Sequence, residues 1–218
     1  MSKRIFIGAQ ICALSLFLAF TALPRTAAAE GDVESGKVLG YTCLGCHGIE
    51  GYRNPYPSYR VPKLGGQHAA YIELALKAYR SGERTHATMR AQAGSLSDQD
   101  IADLAAYFAS QGEPVDGPVV TRGVAEGKEK SQTCTACHGE RGISANAIWP
   151  NLAGQQQDYL VNALKQYKYA SAERSDGYSV RNNAVMAGLA AALSDDDIDA
   201  LAKYFAAQDG LYTSKHED

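Results

Sequence analysis

Apolar residues along this chain recur at helical spacing, and no stretch alternates long enough to suggest a β-strand. Ile101, Leu104, Ala105 and Phe108 fall at i, i+3, i+4 and i+7, a single stripe on one helix face. Ser97 precedes the stripe as an N-cap, Asp100 lies three residues on, and Leu96 can staple against Ile101. The pattern returns at Leu193, Ser194, Asp197 and Ile198, followed by Leu201, Ala202 and Phe205. Earlier helices are predicted over about residues 68–80 and 157–169. With a short helix ahead of these, each half reads as helix, turn, loop, helix, loop, helix. The predicted fold class is all-α.

The N-terminus follows a different pattern. Residues 5–23 carry no charge behind Lys3 and Arg4, Pro24 ends the run, and Ala27-Ala28-Ala29 offers small residues for a signal peptidase. Residues 1–29 are therefore expected to be a signal peptide, with Glu30 starting the mature chain and Cys12 leaving with the peptide. The run is about as long as a short membrane span, so an uncleaved segment would give membrane association; the alanines favour cleavage. Without Lys3, Arg4 and Arg25, 18 of the 21 basic side chains remain against 24 acidic ones, a formal charge of −6. That acidity argues against a nucleic-acid partner and suits a soluble protein of the periplasm.

The rest of the chain is a tandem duplication. Gly36-Lys37 and Cys43-Leu44-Gly45-Cys46-His47-Gly48 are matched 91 positions later by Gly127-Lys128 and Cys134-Thr135-Ala136-Cys137-His138-Gly139. Pro62-Lys63-Leu64-Gly65-Gly66-Gln67 is matched by Pro150-Asn151-Leu152-Ala153-Gly154-Gln155, and Tyr71, Leu76 and Tyr79 by Tyr159, Leu164 and Tyr167. The pair Tyr107-Phe108 returns as Tyr204-Phe205. The turn-forming stretch Gly112-Glu113-Pro114-Val115-Asp116-Gly117-Pro118 reads as a linker, so domains are expected at residues 30–117 and 118–218. Domains of about 85 residues built from three short helices have a meagre apolar core. A large apolar cofactor at each centre would explain how they stay folded.

Cys-x-x-Cys-His is the attachment signature of c-type haem. Thiols separated by two residues lie one helical turn apart, close enough to form thioethers with two vinyl groups of one porphyrin. The next residue is then carried under the iron. Cys43, Cys46 and His47 are expected to do this for one haem, and Cys134, Cys137 and His138 for a second. Zinc would need the thiol pairs to converge, yet they stand a domain apart, and a redox dithiol would need a βαβ context. For the other face of each iron the chain offers Met89 and Met186, seven residues before Leu96 and Leu193. One methionine per repeat, in register and with only Met1 besides, is not what core filling produces. Histidine–methionine ligation is that of electron-transferring c-type cytochromes. It leaves no open position on iron, so no catalytic residue is expected.

Pro62 and Pro150 read as rigid loops offering a carbonyl to the other nitrogen of the preceding histidine. His86 is expected at the surface, since its counterpart Asn183 is no ligand. His68 is placed near a helix start and His216 in a frayed tail.

These residues resemble the class I c-type cytochromes, and the tandem arrangement is similar to the cytochrome c4 family over about residues 31–210. The resemblance implies two covalently bound haem c groups (iron), one held by Cys43, Cys46, His47 and Met89 and the other by Cys134, Cys137, His138 and Met186. It implies that Gly36 and Gly127 let the first helix of each domain cross the last closely. It implies domains packed about a pseudo-twofold axis with haem edges facing. It further implies an electron carrier, not an enzyme, running from a cytochrome bc-type complex (the quinol–cytochrome c oxidoreductase) to a terminal cytochrome oxidase, without a small-molecule substrate. The same build serves as the dihaem subunit of a periplasmic dehydrogenase such as flavocytochrome sulfide dehydrogenase, which is the alternative. A haem peroxidase would require one iron to lose its methionine.

The halves differ in two loops. Between attachment motif and proline the second is three residues shorter, and before its methionine it is nine longer, within residues 169–183. Residues 52–60 of the first, including Tyr56, Tyr59 and Arg60, have no match and read as a surface loop. In a sharper reading they border the first haem or the domain interface and separate the two potentials.

Overall fold

The computed structural model describes residues 30–55, 58–112, 118–170 and 181–215. The expected signal peptide, residues 113–117 of the expected linker, Tyr56, most of the longer second loop and His216 lie outside the described residues. The first half holds α1 (Val33–Leu39), α2 (Tyr41–His47), α3 (Ala69–Ser81), α4 (Ala87–Ala93) and α5 (Asp98–Ser110). The second repeats them as α6 (Ala125–Lys130), α7 (Gln132–His138), α8 (Gln157–Lys168), α9 (Ala184–Ala191) and α10 (Asp195–Ala206). Among the described residues the only extended pairings are three isolated bridges, as expected for an all-α fold.

Three helices were expected per half, and among the described residues five are present in each. The additions are α2 and α7, which carry the attachment motifs, and α4 and α9, which carry the methionines. Each has seven or eight residues, about two turns, too few for a legible stripe.

The last helices start where their caps dictate. Ser97 accepts from the Asp100 amide at 3.1 Å and its own amide donates to the Asp100 carboxylate at 2.8 Å. Ser194 and Asp197 repeat both bonds. Leu104, Tyr107 and Phe108 of α5 then form a core with Leu44 and Ile72. Leu201, Tyr204 and Phe205 of α10 do so with Val124 and Leu160.

Helices α1 and α6 cross α5 and α10 at backbone contact. A Cβ at Gly36 would fall on the Asp103 carbonyl and 2.7 Å from Tyr107 Cβ; one at Gly127 would fall on the Ala200 carbonyl and 2.6 Å from Tyr204 Cβ. Glycine is there because nothing larger fits.

Among the described residues every helix–helix contact lies within one half. The halves meet instead through loops and the C-terminal segment. Tyr212 exchanges backbone hydrogen bonds with Gly65 at 3.0 and 2.9 Å, and the Lys215 carbonyl accepts from Gln111 Nε2 at 3.3 Å. The chain thus docks on the first half up to Lys215, the last described residue.

The surface-loop reading of residues 52–60 is overturned at its C-terminal end. Tyr59 is buried with its ring 6.2 Å from Tyr159, and the Arg60 amide donates to Asp158 at 3.1 Å. Arg53 adds an ion pair to Asp158 at 2.9 Å. This end of the loop is part of the domain interface.

Gly127→Ala should cost about 2–3 kcal/mol by forcing α6 off α10, against about 1 kcal/mol for Ser194→Ala. Denaturant unfolding of the haem-loaded protein checks both the values and their order.

Candidate functional site

Cys43 and Cys46 stand three residues apart on α2, half-buried and not joined in a disulfide, while Leu44 between them turns into the core. Cys134 and Cys137 stand the same way on α7. Burial pushes the Cys43 and Cys134 thiols up, so they are protonated at neutral pH, the opposite of a reactive redox dithiol. Among the described residues no three His, Cys, Asp or Glu side chains gather as a metal-binding cluster.

His47 and His138 close these helices and are buried, 9% and 7% exposed. His47 Nδ1 lies 2.8 Å from the Pro62 carbonyl and His138 Nδ1 2.9 Å from the Pro150 carbonyl, the two bonds expected from the sequence. A carbonyl can only accept, so Nδ1 carries the proton. Burial pushes both imidazoles below their ordinary value, against the raising effect of the proline carbonyls. Each ring is therefore neutral with its lone pair on Nε2, the form that ligates a metal.

Met89 and Met186 are half-buried in the first turns of α4 and α9, which pack on α3 and α8. His86 Nδ1 accepts from the Met89 amide at 3.3 Å, and Asn183 Oδ1 accepts from the Met186 amide at 3.0 Å. Both are N-caps. His86 is thus not a plain surface residue: it is half-buried, 6.4 Å and edge-on from Tyr79. Unlike side chains at one register position do one job, because either supplies an acceptor of the right reach. His68 is the N-cap residue of α3, near a helix start as expected, and its Nε2 donates to the Ser144 carbonyl at 3.0 Å.

Arg84 and Arg181 escaped the sequence reading. They pair across the two halves as an isolated bridge and are 8% and 5% exposed. Arg84 donates to the Tyr159 hydroxyl at 2.8 Å and Arg181 to the same oxygen at 3.0 Å. Arg84 lies 4.6 Å from the Tyr79 ring centre, and Arg181 lies 5.2 and 5.5 Å from those of Tyr159 and Tyr167. Among the described residues no carboxylate is within ion-pair reach of either arginine, and Arg84 Nε has no hydrogen-bond partner. Burial alone would raise the Tyr159 phenol, but Arg181 and Arg84 outweigh it and pull it down to about 8. Uncompensated positive charge thus lies five residues before each methionine. That shared register was the available clue.

A helical domain built around a Cys-x-x-Cys-His turn, with a proline-tethered histidine and a capped methionine helix, is a c-type cytochrome domain, present twice. The cytochrome c family model matches residues 33–112 and 124–208. A cytochrome c4 from Pseudomonas aeruginosa is 36% identical over 203 residues, covering 89% of this chain and 96% of that one. The crystal structure of reduced cytochrome c4 from Pseudomonas stutzeri superposes with a TM-score of 0.64 at 31% identity, covering 84% of this chain and 100% of that one. A thiosulfate dehydrogenase electron acceptor from Stutzerimonas stutzeri is 30% identical over 175 residues, 75% of this chain and 77% of that one. The chain belongs to the cytochrome c4 family, and its cofactors are two covalently bound haem c groups.

The residues fit that cofactor. Two unpaired cysteines per site are placed for thioether formation, a neutral imidazole offers Nε2, and the two buried guanidiniums match the carboxylates that every haem carries.

His86→Asn, which copies the second domain, should leave stability within a few tenths of a kcal/mol, while His86→Ala and Asn183→Ala each cost about 1 kcal/mol. Denaturant midpoints of the three variants decide it.

Proposed function

We propose that Cys43 and Cys46 attach one haem whose iron is ligated by His47 and Met89, and that Cys134, Cys137, His138 and Met186 serve the second. The protein then carries single electrons in the periplasm, from a cytochrome bc-type complex towards a terminal cytochrome oxidase. The observation that carries this reading is the matched pair of histidine tethers, each leaving a neutral, buried ring with only Nε2 to offer. When bound, haem iron takes up and releases one electron without a proton or a substrate. The chain's part is to fill both axial positions, exclude water from the histidines and compensate the haem carboxylates with Arg84 and Arg181. The domain bounds 30–117 and 118–218, after removal of residues 1–29, are supported by the two family matches lying inside them.

A second reading concerns the donor alone. Similarity to a thiosulfate dehydrogenase electron acceptor supports a periplasmic dehydrogenase in that place, in line with the dehydrogenase-subunit alternative. Among the described residues no helix is long and apolar enough to cross a membrane.

Protein matured in a haem-attaching host should carry two haems per chain by pyridine haemochrome. It should show a methionine–iron charge-transfer band of matching intensity and bind no carbon monoxide when reduced. Met186→Ala should halve that band and open one iron to carbon monoxide. A single haem, or carbon monoxide binding by the unaltered protein, would overturn the ligand assignment. Stopped-flow reduction by a purified bc-type complex, compared with thiosulfate dehydrogenase, separates the two donors by rate.

A further inference from the structure

The Pro150–Asn151 peptide is hydrogen-bonded on both sides, and to two different domains. Its carbonyl accepts from His138 Nδ1 at 2.9 Å. Its N–H donates at 2.8 Å to Oε1 of Gln67, which belongs to the other half. Gln67 Nε2 returns to donate to the Asn151 carbonyl at 3.0 Å, so one side chain clamps both backbone groups of residue 151.

The Pro62–Lys63 peptide is treated identically. Its carbonyl accepts from His47 Nδ1 at 2.8 Å, its N–H donates to Gln155 Oε1 at 2.8 Å, and Gln155 Nε2 donates to the Lys63 carbonyl at 3.0 Å. Both glutamines are 5% exposed. Each Oε1 also accepts from the amide of the next residue, His68 or Gln156, at 3.0 Å. Two amide donors on one end and a carbonyl on the other leave a single orientation for each side chain.

A glutamine could serve merely to hold two domains together. Here, however, both glutamines bind the one peptide that anchors the other domain's histidine, although many interface backbone groups were available. A peptide transmits polarisation: an acceptor on its N–H makes its carbonyl a stronger acceptor. A stronger acceptor at Nδ1 draws electron density onto the imidazole, makes it a better donor to the metal and favours ferric over ferrous iron.

We propose that Gln67 and Gln155 are crossed positioning residues, each orienting and tuning the axial histidine of the opposite domain through a shared peptide. This rests on the assignment of His47 and His138 as axial ligands. The two haem sites are then coupled through four hydrogen bonds per side, and opening the interface changes both irons at once.

The test replaces each glutamine by the isosteric, apolar methionine in the fully matured protein. Both midpoints are read by spectroelectrochemistry, and the sites are told apart by the Nδ1-proton resonances of the two histidines in the reduced state. Gln67→Met should raise the midpoint of the haem held by His138, move the His138 Nδ1 proton upfield and leave the His47 site unchanged. Gln155→Met should do the reverse. His68→Ala, which removes the neighbouring inter-domain bond to Ser144 but no member of the relay, should move neither. A shift in the same domain, equal shifts in both, no shift, or the crossed shift in His68→Ala would each overturn the proposal. An intact count of two haems with a full methionine–iron band in those variants keeps the ligand assignment standing when the relay fails; a missing haem in the unaltered protein would sink both.

Discussion

Two peptide groups have to be held still in this molecule, because each orients an imidazole that has one nitrogen left to give. Proline contributes the carbonyl with a fixed backbone angle and needs no hydrogen bond for an amide of its own. Four residues after each proline, the Gly66 amide donates to the Phe108 carbonyl at 3.1 Å, and Gly154 to Phe205 at 3.0 Å, fastening each loop to the end of the last helix. That helix is in turn crossed at backbone contact by α1 or α6, which lead into the attachment helix. A closed mechanical circuit therefore runs from histidine to proline, to last helix, to first helix and back to the histidine. The opposite domain completes it through the glutamine clamp. Few residues are spent on this circuit, which is why about 85 residues suffice around a cofactor-sized apolar centre.

Electrostatics make the interface conditional on its cofactors. The chain is acidic overall, yet two buried arginines meet on the Tyr159 hydroxyl with phenols, ring faces and the neutral Gln166 amide around them and no carboxylate among the described residues. Burying an uncompensated charge costs several kcal/mol. The downward pull of Arg181 and Arg84 on the Tyr159 phenol has the same origin, positive charge without a carboxylate beside it. Haem carboxylates placed there would relieve the penalty on both domains together, so cofactor attachment and domain docking stabilise one another.

The long helices were legible because their stripes and capping boxes are local; Ser97, Asp100 and Ile101 need nothing beyond α5 to declare themselves. The proline–histidine bond was legible because spacing within each repeat constrains it. The two-turn helices were not, since α2, α4, α7 and α9 are too short for periodicity to rise above composition. Arg84 and Arg181 escaped the sequence reading, although they share the 97-residue offset of the methionines. Their burial depends on tyrosines from both halves, up to 75 positions away. Tyr59 and Arg60 were misplaced for the same reason: the groups they meet, Tyr159 and Asp158, lie in the other half, Asp158 being 98 residues beyond Arg60. Gln67 and Gln155 stood out in the repeat, but a pattern within one half cannot reveal a role exercised on the other.

Duplication explains the symmetry of the clamp, and the departures from it explain how one ligand set can serve two unlike sites. The His47 loop is backed by the C-terminal segment, whose Tyr212 pairs with Gly65 two residues beyond Lys63. Where the His47 loop takes that reciprocal pair, the His138 loop takes one bond from the same segment, Leu211 N–H to the Ala153 carbonyl at 2.8 Å. It is backed by its own shortened loop, where Leu152 donates to the Gly142 carbonyl at 2.7 Å and Asn151 Oδ1 accepts from the Ser144 amide at 2.9 Å. Both histidines keep the same bond to the same kind of carbonyl. What differs is the medium behind that bond, and solvent access and outer hydrogen bonding are what tune a metal whose direct ligands are unchanged. Divergence in this protein reaches that backing, while the clamp bonds that cross between the domains have been kept in matching pairs.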